Sequence, residues 1–378
     1  MSSPRPVCGA EESCLQFLNS YATSDQRNAC FRSVQRGHLE CLRYAHEQGC
    51  SWDEMTCNEA SRNGQLECLR YAHEHGCCWD TNTCYWASHN GHLECLQYAH
   101  ENHCPWDEWI CRVASRHGQL ECLRYAHEHG CPWSEETCSW ASWTGHLECL
   151  RYAHEHGCPW GADTCNVASS VGRLECLRYA HEHGCPWDSR TCWNASCSGH
   201  LECLRYAHEH GCPWDEKTCS WASFGGHLDC LRYAHEQGCP WDEDTCDWAS
   251  QYGQLECLRY AHEAGCPWGP ITCRVASLNG HLECLRYCLE NGCPSPDYTT
   301  FTVHHAVVPY LYHRGARLRR SHTRNHIREH IRKAWTLLRC SLRLLGSYSR
   351  ACERVYSPDG VGYREAESSF RSSLEGSH

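Results

Sequence analysis

Between His200 and Glu209, Leu201, Leu204, Ala207 and His208 recur at steps of three and four, while Glu202, Arg205 and Glu209 fall on the opposite side. That period predicts an amphipathic helix of about three turns with one buried stripe. Gly211 lies just past the last periodic residue, where a left-handed cap is wanted, and Pro213 bars the helix from continuing. Asp215 then stands where an N-cap belongs, with Thr218 an equal candidate, and Cys219, Trp221 and Ala222 mark a second, shorter apolar stripe that ends before Gly226. The stretch reads as a helix–turn–helix.

The same pattern returns along the chain without an insertion. Its opening glycine recurs at Gly37, Gly64, Gly91, Gly118, Gly145, Gly172, Gly199, Gly226, Gly253 and Gly280, always 27 residues apart. A fixed tandem period of this size predicts an all-α solenoid in which each unit buries its apolar face only against its neighbours. Residues 37–296 form the array, with ten second helices joined by nine first helices and a tryptophan in each of the nine linkers, from Trp52 to Trp268. A large ring recurring in a polar turn is expected to pack over the helix ends. Residues 1–36 hold a degenerate capping repeat, since Cys14-Leu15 aligns with Cys41-Leu42 and Cys30 with Cys57 but the glycines and the tryptophan are missing. In residues 297–345 a fading repeat, broken at Pro309, is followed by Ile327, Ile331, Ala334, Leu338 and Leu342 opposite Arg324, Arg328, Arg332, Arg339 and Arg343, a basic amphipathic helix. Residues 346–378, rich in Ser, Gly and charge, read as a tail without fixed structure.

Thr218-Cys219-x-x-Ala222, Gly226-His227-Leu228-Asp229-Cys230-Leu231 and the closing Gly238 resemble, in order and spacing, the first helix, the turn and the second helix of an ankyrin repeat. The resemblance covers residues 37–294, and the shortened unit is similar to those of arrays abundant in large DNA viruses of amoebae and in some protists. The unit is six residues shorter than an ankyrin repeat, and Cys-Pro-Trp-Asp stands where a β-hairpin finger would begin. The resemblance implies a non-enzymatic scaffold for protein partners with its recognition face on the first helices.

Charge divides the chain. The net charge is −12, yet from residue 297 onward the balance is +7, leaving about −19 on the array and what precedes it. The 37 cysteines would fit a disulfide framework in a short secreted domain, but their number is odd and residues 1–10 lack the apolar stretch of a signal peptide, so a reducing cytoplasmic or nuclear setting is expected. There cysteine serves as a small buried hydrophobe.

Cysteine columns such as Cys203, Cys212 and Cys219, beside the histidine column His46 to His262, raise the question of zinc. Cys203 and His208 are five apart, about 140° round a helix, and so do not converge. No metal, cofactor or catalytic residue is therefore assigned, and the histidine is read as a neutral core ring filling space between repeats. Identical groups recurring nine times look like packing rather than an active site. The Glu202–Arg205–Glu209 line reads as a soluble outer face. Two columns on the first helix and its exit turn vary from unit to unit: one contains Tyr85, Arg112, Trp193 and Arg274, the other Arg116, Trp143 and Phe224. These seven residues are the candidate partner-binding set. The rival readings are a metal- or redox-responsive Cys/His array, and a nucleic-acid or membrane adaptor acting only through the basic segment that runs from Arg314 to Arg343.

Overall fold

The structure, a computed structural model, describes residues 26–294. The chain before residue 26, the fading repeat, the basic helix and the tail lie outside the described residues. Within them the chain forms twenty helices in ten pairs, the first pair being Gln26–Gln35 and Leu39–Glu47 and the last Pro270–Leu278 and Leu282–Glu290. This is the all-α solenoid that the period predicts. No described helix is long and apolar enough to cross a membrane.

Each second helix spans nine residues, as in Leu201–Glu209, about two and a half turns rather than three. Its leucine at the fourth position, Leu42 through Leu285, is fully buried in every unit, as is an alanine on nine of the ten first helices, Ala60 through Ala276, with Ser33 in its place on the first. Small residues there let the helices approach closely. Asp215, not Thr218, is the N-cap: its carboxylate accepts from the Lys217 amide, while Thr218 is wholly buried one turn in. At the far end the amides of Gly211 and Cys212 return to the carbonyls of His208 and Ala207, with Gly211 at φ +82°. That closure needs glycine for its backbone alone, since a Cβ there would meet nothing within 4 Å. Gly199 is doubly constrained. It sits at φ +78°, and a Cβ would lie 2.5 Å from the ring of His227 in the next unit, so the Gly-His turn is itself a stacking device.

Consecutive first helices pack on one another more extensively than consecutive second helices do. The first helices therefore line the tighter side of the stack.

Candidate partner-binding face

On the second-helix side one contact group recurs from junction to junction, with Gln97 in place of the arginine at the junction to Tyr125. His154 Nδ1 lies 2.9 Å from the hydroxyl of Tyr179 in the next unit. The linker Trp160 stacks on His154 at 3.9 Å and meets Tyr179 edge-on at 6.2 Å. Arg151 from the same helix as His154 lies over the Tyr179 ring at 5.5 Å, a cation–π contact across the junction. The linker tryptophans thus pack over helix ends with one face already taken. Two expectations are corrected. The histidines are half-buried rather than core, and in the middle units it is the tyrosine that goes inside, Tyr125, Tyr152, Tyr179 and Tyr206 being 6–8% exposed while the tyrosines of the other units stay half-buried. The outer arginines do pair with glutamates three residues earlier, Arg151 with Glu148 at 3.8 Å, but they also tie each repeat to the next.

Burial lowers the ionisation of His46, His73, His100, His127, His154 and His181, and in five of these a second histidine adds to it, as His183 does for His154. Most of the described cysteines are buried, and the thiols of the two helices are pushed up. Burial raises Cys203 to about 11, and Cys219 is raised first by its hydrogen bond to Cys239 of the next linker and then by burial. Such thiols are poor nucleophiles. The linker cysteines point back, Cys212 Sγ lying 3.2 Å from the carbonyl of Asp188.

The first-helix side varies. Arg116 is exposed, with its guanidinium 4.4 Å from the Trp140 ring and 5.3 Å from Trp143. Trp143 is 39% exposed and Trp109 51%. Arg112 is half-buried over Trp109 at 4.0 Å and is engaged by Glu108 and Glu136. Tyr85 is half-buried with its ring edge on Trp86 at 5.1 Å. A second cluster lies further along: Trp193 stacks with Trp221 at 6.2 Å, Trp221 with Trp248 at 6.1 Å, and Phe224 sits against Tyr252 at 4.4 Å. Arg274 is exposed on the last first helix. Five of the seven candidates, Tyr85, Arg116, Trp143, Trp193 and Phe224, therefore fall into aromatic clusters that run across units.

The column of Tyr85, Arg112 and Trp193 also faces the next repeat. In that column Asn58 and Asn166 are buried and accept from Thr83 and Thr191 at 2.7 and 2.8 Å. Sequence reasoning missed Trp86, Trp109, Trp140, Trp248 and Tyr252, and it placed Trp221 in the buried stripe, whereas the tryptophans of its column are half-exposed. The signal was there: that column reads Glu59, Trp86, Val113, Trp140, Val167, Asn194, Trp221, Trp248, Val275.

No family model matches the sequence, and no curated protein matches it. Among solved structures the chain is similar to the ankyrin repeat domain of human ASB11, with 17% identity and a TM-score of 0.37 over 42% of this chain and 84% of that one.

Proposed function

We propose that the array is a non-enzymatic scaffold that binds a protein partner through the aromatic and arginine side chains of its first helices. The observation that carries this is the Arg116–Trp140–Trp143 cluster. Arg116 and Trp143 are exposed and Trp140 is half-exposed, so the cluster keeps surface open to a partner while also bridging two units, and Trp and Arg are the residues that most often dominate interface energetics. The site lies on the side of the stack where the sequence is released from the repeat. Affinity capture with the full chain identifies the partner, and titration then measures it. Replacing both Arg116 and Trp143 by alanine is expected to weaken binding more than tenfold, about 1.4 kcal/mol, with little change in unfolding. The control is Glu121, Glu148 and Glu175 changed to glutamine, which leaves the arginine–tyrosine contacts in place. If the control abolishes binding and the double variant binds normally, recognition lies on the outer charged face instead.

A further inference from the structure

The last described unit departs from the other nine at one core position. Where they carry alanine, from Ala45 through Ala261, it carries Cys288. Interior units bring two thiols together, a first-helix cysteine and the cysteine of the next linker, as with Cys219 and Cys239. In the last unit Cys288 joins the equivalent pair, and the sulfurs of Cys273, Cys288 and Cys293 all lie within 4.8 Å of one another, every one of the three residues buried. It is the one such cluster among the described residues.

We propose that Cys273, Cys288 and Cys293 form a thiolate site for one zinc-class ion, a divalent thiophilic cation, with its fourth position left to water. Zinc–sulfur bonds of about 2.3 Å place ligand sulfurs roughly 4 Å apart, so the three atoms need to close by less than about 1 Å. Ligand number sets this unit apart from the others, because zinc sites take at least three protein ligands and the interior pairs supply two. Charge favours a divalent over a monovalent soft ion: three thiolates around a divalent ion leave one net negative charge in the core, against two for copper(I), and buried charge is costly. Each metal–sulfur bond forms at a thiolate whose proton leaves to solvent.

The test uses the full-length reduced chain, titrated anaerobically with zinc against a chromophoric chelator. One equivalent is expected to be held at least tenfold more tightly than any further zinc. Cys288→Ala, which restores the residue of the nine other units and so leaves the fold intact, is expected to lose that equivalent. Cys246→Ala, in an interior pair, is expected to keep it. A parent chain that holds no tight equivalent, or a Cys288→Ala variant that holds it unchanged, overturns the proposal.

Discussion

Tyr152 meets His127, Trp133 and Arg124 in the same arrangement in which Tyr260, four units on, meets His235, Trp241 and Arg232. Across the stack, the position held by Trp143 in one unit is Ser170 in the next and Cys197 in the one after. In a linear stack every junction has to be made by the same few side chains, so a change on the second-helix side is repeated as strain wherever it occurs. The first-helix surface also makes contacts between units, such as Thr83 to Asn58 and Arg116 over Trp140, but different side chains make them in different units. Constancy here marks what holds neighbours together, and variety marks what is left over for a partner.

The harshest way to break that division is Tyr179→Ala. It removes a ring that is 6% exposed together with its contacts to His154, Trp160 and Arg151. A loss of about 3–5 kcal/mol in denaturant unfolding is expected, as for other large buried aromatic truncations. Tyr179→Phe keeps the ring and gives up the hydroxyl, and should cost about 1 kcal/mol. If Trp143→Ala destabilises as much as Tyr179→Ala, the two sides do not differ in kind.

The array and its helix boundaries were legible because the 27-residue period and the Gly, Pro and Asp punctuation repeat with them. Which ring goes inside was not. His208 and Tyr206 are two residues apart near the edge of one helical stripe, and only the position of the next unit, whose Tyr233 hydroxyl meets the histidine at 3.0 Å, decides between them. The partner face was legible in part, since variation pointed to Arg116 and Trp143. Periodicity hid Trp221 and Trp248, because a half-exposed ring at a helical step reads as core. Cys288 was visible as a departure from alanine, but its meaning depends on two sulfurs brought in from Cys273 and Cys293.

A gentler test of the constant side uses its one backbone irregularity. The glycine closing each second helix is replaced in one unit by His103, which takes φ +66° as the only non-glycine described residue with positive φ. Left-handed backbone costs a residue with a Cβ roughly 1–2 kcal/mol. His103→Gly is therefore expected to stabilise the chain by about 1 kcal/mol, whereas Gly130→His, in the following unit, should destabilise it by a similar amount. If His103→Gly lowers the unfolding midpoint, the ring makes a contact there that outweighs the strain.

The smallest expected effect per residue comes from protonation. His154 ionises below the unfolded value of about 6.5, first because it is partly buried and second because His183 faces it at 5.4 Å, with Glu155 pulling the other way. Between the folded and unfolded values the unfolded chain binds more protons, so stability rises with pH. The contribution is whole above about pH 6.5 and is lost as the pH falls through the folded value. Asp247, pushed up to about 6 chiefly by burial, acts with the opposite sign and gains stability as it protonates. A simple comparison of two pH values therefore mixes the two. His183→Asn separates them, since asparagine already stands at the matching position, Asn102, beside His73. With the second imidazole gone, His154 should titrate nearer 6.5, and the drop in unfolding midpoint between pH 7.5 and pH 5.5 should become shallower than in the parent. An equal or steeper drop in His183→Asn would mean that the histidine pairs on the constant side do not oppose each other's charge.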